Sequence, residues 1–204
     1  MQQHELPYDQ SCPVVNIDER PCQLIGDVVQ PLPLEPGKVK RQDYEYERHG
    51  VCNLFIALEP LRGYRVCSVF QHRTGTEYAM FLKVLSELHY PGAEKIVIIQ
   101  DNLSTRNPGS FYKVFSPEEA YRLASRFEFH YTPKKASWLN MAEIELSVIS
   151  KQCLDRRIPS QEELKNEVYA LVEERNRIKA TVNWTFTKAK ARQKMKRHYP
   201  TTNN

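Results

Sequence analysis

Long hydrophobic runs are missing from this 204-residue sequence, and nothing in it approaches the roughly 20 apolar residues that a membrane-spanning helix needs. The opening residues, MQQHELPYDQ, lack the basic start and apolar core of a secretory signal, so the chain is expected to be intracellular. The five cysteines (Cys12, Cys22, Cys52, Cys67, Cys153) are odd in number and include no close pair. That spacing argues against both a disulfide framework and a zinc knuckle and leaves reduced, partly buried thiols. Acids are absent after Glu174, whereas Arg175, Arg177, Lys179, Lys188, Lys190, Arg192, Lys194, Lys196 and Arg197 bring nine positive charges. Such a tail fits contact with a polyanion, although a plain solvated terminus has the same composition.

What is present describes one globular domain with a sizeable core, at 41% hydrophobic and 26% charged residues. Residues 95–102, KIVIIQDN, place four large aliphatics in a row before Gln100, Asp101 and Asn102. An apolar run without alternation needs both faces covered, so this is a buried strand that stops on an acid. Asp101 is then either the cap of the next turn or a member of an active site at a strand end. Residues 14–17, inside CPVVNIDERP, repeat the pattern and end at Asp18 and Glu19. Pro31, Pro33 and Pro36 mark an extended excursion after that strand. Residues 52–58 and 64–70 read as a hairpin about Pro60 and Gly63.

From residue 76 the period lengthens, and Phe81, Val84, Leu85 and Leu88 predict one inward helix face before the strand of residues 95–100. Ser116 with Glu119, and Ser160 with Glu163, predict helix starts with capping boxes. Residues 127–131 alternate as a short strand, and a further helix is expected over 138–153. Three strands before the first crossover, with acids ending the first and fourth, predict an α/β ribonuclease H-like fold: a mixed central sheet flanked by helices.

Two strand-end carboxylates suggest Mg²⁺ chemistry, and a two-metal phosphoryl-transfer site needs further oxygen ligands to hold ions about 4 Å apart. The segment TPKKASWLNMAEIELSVIS supplies the candidates. Leu139, Ala142, Leu146, Ile149 and Cys153 form its core stripe, and Met141, Ile144 and Val148 a second apolar face. Glu143 and Glu145 stand on the two shoulders between them, about 160° apart by helical geometry. Periodicity does not choose between them.

VVNIDERP, EYERHG, HYPGAEKIVIIQDN and EFHYTPKKASWLNMAEIELSVISKQCLDRR resemble the DDE transposases of bacterial insertion sequences, in the branch related to mariner elements. The resemblance runs over about residues 13–200. It implies DNA strand cleavage and strand transfer at element ends by a ribonuclease H-like core, with two Mg²⁺ ions for which Mn²⁺ substitutes. Carried across residue by residue, the catalytic and metal-binding acids fall on Asp18, Asp101 and, three positions after Asn140, Glu143. Two departures stand out. The family's Asn-Leu-Asn-Thr-His after the second aspartate is Asn102-Leu103-Ser104-Thr105-Arg106 here, and its glycine before Ser-Trp is Ala136.

Around those acids, Glu19 and Asn102 are candidates for supporting contacts, and His130 is either near the same face or a structural histidine. Lys134 and Lys135 are candidate phosphate contacts, joined by Arg175, Arg177, Lys188, Lys190, Arg192, Lys194, Lys196 and Arg197 for salt-dependent DNA affinity. Trp184 and Phe186 are core aromatics or base-stacking partners. The expected organisation is a short extension (residues 1–13), a catalytic domain (14–174) and a basic segment (175–204). Thirteen residues before the first strand are too few for a helix-turn-helix, so the sequence is expected to be a catalytic domain alone, from a split or truncated reading frame or a remnant, with a separate helix-turn-helix chain as one candidate partner. The implied partners are double-stranded DNA of element ends and target and a second copy in a homodimer, with no membrane. The implied location is the bacterial cytoplasm, at the nucleoid when DNA is bound. The alternative function is a catalytically inactive remnant that retains nonspecific DNA binding or assembly.

Overall fold

The computed structural model describes residues 8–29, 36–37, 43–133, 137–182, 190 and 193. Strand β1 (Val14–Asp27) pairs antiparallel with β2 (Tyr46–Glu59), which pairs antiparallel with β3 (Tyr64–Phe70). Helix α1 (Gly75–Val84) crosses to β4 (Ile96–Gln100), parallel to β1, and α2 (Pro117–Ser125) leads to β5 (Phe127–Tyr131), parallel to β4. Helices α3 (Ala142–Gln152) and α4 (Gln161–Arg177) follow. The sheet order β3-β2-β1-β4-β5 makes a mixed sheet flanked by helices, the ribonuclease H-like arrangement.

Alternation along β2 builds both cores. Phe55 and Ala57 face a cluster with Tyr78, Phe81 and Leu82 of α1, while Leu54 and Ile56 face Leu146 and Ile149 of α3 and Leu164 and Val168 of α4. Covered on both sides, β4 is buried along its whole length, as its unbroken aliphatic run predicts.

Three local expectations change. Strand β1 runs well past Ile17, through Pro21, because β2 pairs with it from Asn16 to Asp27, while β4 pairs only with Val14, Val15 and Asn16. Beyond that point β1 has no β4 neighbour to which a proline would owe an N–H. The inward face of α1 also differs: Val84 and Leu88 are exposed, at 36% and 72%, while Tyr78, Ala79 and Leu82 are buried. A π turn over Leu85–His89 closes the helix with a hydrogen bond from Tyr90 N to Leu85 O (3.0 Å), so a regular period does not carry through to Leu88. At the helix starts, Ser116 and Ser160 accept from the backbone N–H of Glu119 and Glu163. The Glu119 carboxylate does not return to its cap, because Lys83 and Arg122 hold it. A complete capping box forms at Thr74 and Glu77 instead.

A buried ion cluster fastens α3 and α4 to the sheet. Glu145 has no exposed surface; it lies 2.7 Å from Nε of Arg65 on β3 and accepts from Nε of Arg175 on α4 at 2.6 Å. Arg65 Nη1 also donates to Gly63 O (2.9 Å), and Asn176 brackets Arg65 through its backbone N–H and carbonyl, both at 2.8 Å. Gly63 has φ 65°, and a side chain there would meet Lys179 O at 2.8 Å, so the β2–β3 turn and the end of α4 approach too closely for any other residue.

Burial alone would raise the Glu145 carboxyl, but hydrogen bonds from Arg65 and Arg175 bring it below its ordinary 4.5. A carboxyl with a depressed folded value stabilises above its unfolded value and loses that contribution as pH falls. Glu145→Gln is expected to cost about 3–5 kcal/mol in urea unfolding at neutral pH, because it strands two guanidiniums. The difference from the parent should shrink as pH falls below 4.5.

Candidate functional site

The β1–β4 register ends with Asn16 opposite Ile99, so Asp101, just past the end of β4, comes beside Asp18, which lies inside β1 where its pairing with β4 has stopped. Glu19 follows in β1, and its backbone N–H donates to Asp18 Oδ1 at 2.9 Å. What fills the space among these acids is Arg106. Its Nη1 donates to Asp101 Oδ1 (2.5 Å), and its Nη2 donates to Asp18 Oδ1 (2.9 Å) and to Glu19 Oε2. Neighbouring strand residues project to opposite faces, yet one nitrogen reaches both Asp18 and Glu19. It can do so because β1 has no β4 partner past Asn16.

The loop after β4 is built to deliver that guanidinium, which is only 3% exposed. Arg106 N–H donates to Leu103 O (2.9 Å), and the Ser110 hydroxyl donates to Thr105 O (2.9 Å). The Arg106 carbonyl accepts from Gln100 Nε2 (3.0 Å) and from the Tyr131 hydroxyl (3.3 Å). Gln100, fully buried, is itself fixed by the Tyr78 hydroxyl at 2.7 Å. Sequence reasoning missed Gln100, Tyr78 and Tyr131. The available signal was the polar residue closing an otherwise aliphatic strand.

One cation serves three carboxylates, so negative charge is left over. Burial raises the Asp18 carboxyl above its usual range, although Arg106 pulls it back by charge and hydrogen bonding. Asp101 is raised by burial and then by the like charges of Asp18 and Glu143, against a backbone N–H from Leu103 that lowers it. Burial also works against the charge on Arg106, and Asp18 opposes that effect.

Helix α3 is docked on β1 by Asn140, whose Nδ2 donates to Ile17 O (2.8 Å) and whose Oδ1 accepts from Ala142 N (3.1 Å). Met141 N donates to Asn16 Oδ1 at 3.3 Å. This seating leaves half-buried Glu143 near enough to Asp101 to act on its charge and turns Glu145 into the Arg65–Arg175 cluster. Packing thus separates the two helix acids that periodicity left open, committing Glu145 to the two arginines. Asn102 is exposed, and His130 Nε2 lies 2.6 Å from Glu128 Oε1. Among the basic residues, Arg175 is held by Glu145, exposed Arg177 pairs with Glu174, and Lys190 is exposed. Lys134, Lys135, Lys188, Arg192, Lys194, Lys196 and Arg197 lie outside the described residues, as do Ala136, Trp184 and Phe186.

The side chains do not fit a metal pair. A hard divalent cation needs oxygens converging on one point at about 2.1 Å, whereas the carboxylates of Asp18, Glu19 and Asp101 are spread around a planar guanidinium. Among the described residues no group of three or more His, Cys, Asp or Glu side chains is disposed to hold a metal ion. The expected two Mg²⁺ or Mn²⁺ ions at Asp18, Asp101 and Glu143 are therefore corrected, and with them the expectation of divalent-metal-dependent DNA strand cleavage and strand transfer. The physical reason is Arg106, a fixed cation in the place where ions would have to sit.

A five-stranded mixed sheet with helices on both faces and an acidic cluster formed within β1 and just past the end of β4 defines a ribonuclease H-like domain. A family model described as DDE superfamily endonuclease matches residues 13–165, and the chain belongs to that family. No curated protein matches the sequence.

Solved structures show the same fold at low identity. The Mos1 mariner paired-end complex with Mn is similar with a TM-score of 0.55 at 11% identity, over 87% of this chain and 54% of that one. A pre-cleavage Mos1 transpososome gives 0.51 at 11% identity, over 82% and 54%. The Mos1 transposase paired-end complex with the left transposon end gives 0.51 at 12% identity, over 79% and 48%. The chain thus spans about half the length of the Mos1 chains it matches. Among the described residues no helix is long and apolar enough to cross a membrane.

Two measurements probe this site. Asn140→Ala leaves a buried carbonyl and a helix N–H without partners and should cost about 1–3 kcal/mol in urea unfolding. For Asp101, a folded value above the unfolded 3.8 means that stability is lost as pH rises through that window. Asp101→Asn should therefore unfold near the parent's urea midpoint below pH 3.8 and gain on the parent progressively above it.

Proposed function

We propose that this chain is a catalytically silent DDE-superfamily domain that retains a DNA-binding or assembly role. The observation that carries this reading is Arg106, whose guanidinium bonds to Asp18, Glu19 and Asp101 together and occupies the space a catalytic metal would need. Asp18, Asp101 and Glu143 stand in the family's catalytic positions but serve here as counter-charges and scaffold. Retained DNA contact is supported by the formal charge of +4 and by the excess of Lys and Arg after Glu174. Arg177, Lys179 and Lys190 are the described members of that group that are exposed, and Arg175 is assigned to the fold. The similar Mos1 structures are paired-end complexes and a transpososome, so the corresponding role for this chain is assembly on element-end DNA, as a homodimer or with a separate recognition chain.

Backbone-directed binding predicts affinity that falls linearly on a log scale with salt and varies little with sequence. Fluorescence anisotropy with unrelated duplexes over a salt series is expected to give that dependence. A nicking assay with the same duplexes in Mg²⁺ or Mn²⁺ is expected to give no product above a protein-free control. Cleavage that needs metal and disappears in Asp101→Asn would overturn the silent reading, and absence of DNA binding at low salt would remove the binding role.

A further inference from the structure

The loops that precede β1 and β4 and the β2–β3 turn surround a cleft of about 430 Å³, at the other end of the sheet from Arg106. Its walls are tied in place. Arg126, at the end of α2, donates from Nη2 to the carbonyls of Tyr90 (2.6 Å) and Ala93 (2.9 Å). The N–H groups of Glu94 and Lys95 donate to Ser11 O at 2.8 and 3.3 Å, which joins the loop before β4 to the loop before β1.

The polar groups of the cleft are donors. Arg62 lies over the Tyr64 ring, 4.6 Å from its centroid, and its Nη1 is 3.8 Å from Glu59 Oε2, beyond hydrogen-bond reach. The Tyr64 hydroxyl lies 2.8 Å from Nδ1 of His89. Arg62 and His89 both line the cleft, and among the described residues neither the Arg62 guanidinium nor His89 Nε2 has a hydrogen-bond partner. Glu59 is closed off behind them: it is 1% exposed and accepts from the Tyr90 hydroxyl at 2.8 Å. An entering molecule therefore meets the guanidinium and the imidazole and not the carboxylate.

A planar guanidinium that is already stacked and still has its N–H groups to offer suits a carboxylate or phosphate that can accept two of them. Tyr8, Tyr90, Pro13 and Pro91 add ring and apolar surface for a flat body, and the volume lies in the range that small organic ligands occupy. We infer that this cleft binds a small planar organic anion, with its carboxylate or phosphate on Arg62 and His89 and its ring against Tyr8 and Tyr90. The site is distinct from the Arg106 cluster, since Ala93 precedes β4 and Asp101 follows it. It does not depend on whether the chain binds or cleaves DNA.

Titration of isotope-labelled protein with phenyl phosphate, benzoate, inorganic phosphate and benzylamine, followed through backbone amide shifts, tests the inference. Phenyl phosphate or benzoate is expected to give saturable shifts centred on Gly92 and Ala93, and the tighter of the two identifies the anionic group. Inorganic phosphate lacks the ring and benzylamine reverses the charge, so each should bind at least tenfold more weakly. R62M should weaken the tighter anion at least tenfold. G92F supplies a second variant that leaves every charged group in place: a Cβ at Gly92 would meet nothing within 4 Å, so the ring can enter the cleft and should abolish the shift at Ala93. Thermal unfolding of both variants is expected to stay close to the parent's, and if R62M fails to fold, G92F decides. No saturable shift with either ring-bearing anion, equal affinity for inorganic phosphate or benzylamine, or unchanged binding in G92F overturns the inference.

Discussion

The guanidinium of Arg106, set among Asp18, Glu19 and Asp101, closes the place where β4 ends and its parallel pairing with β1 stops. Without a cation there, β1 and β4 would deliver like charges side by side into a space that burial has already made hostile to them. The rest of the site answers to this constraint. Gln100 and Tyr131 hold the Arg106 carbonyl, Tyr78 holds Gln100, and Leu103 and Ser110 shape the turn that brings the chain back. The loop after β4 is the source of the positive charge.

A second buried charge cluster, on the far side of α3, solves a related problem with opposite proportions. Glu145 is one carboxylate between two arginines, with the cation in excess, and its carboxyl is pulled down where those of Asp18 and Asp101 are pushed up. Burial acts in the same direction on all three groups, so the difference in sign comes from the ratio of partners. Together the clusters explain why α3 can carry two acids two residues apart without conflict. Asn140 fixes the seating of the helix on β1, and that seating sends Glu145 inward to Arg65 and Arg175 and leaves Glu143 on the side of Asp101.

Membership of the DDE superfamily and an acidic cluster filled by Arg106 are compatible because fold and site depend on different residues. The aliphatic run of β4, the alternating faces of β2 and the stripes of α3 and α4 build the sheet and its cover. None of that requires ions at the strand ends, provided the charge there is neutralised by some means. Arg106 supplies the means at one position in a loop.

Much of the architecture was legible in the sequence. A run such as IVII has to be a strand covered on both faces, the change from period two to period three or four marks the crossovers, and Ser116 and Ser160 mark helix starts because their side chains satisfy otherwise unpaired N–H groups. Asp101 could be placed at a strand end for the same local reasons, whereas Asp18, expected to end its strand, lies inside β1, which runs on to Asp27. The extent of β1 through Pro21 and the outward turn of Leu88 were not legible, since one depends on where a neighbouring strand stops and the other on a π turn. The sequence by itself also displayed the departure at Arg106, but as a lone basic residue in a polar loop. Only the tertiary structure decided that its guanidinium meets three acids, two of them almost ninety residues earlier, because Coulomb interaction depends on distance in space and no local pattern encodes it.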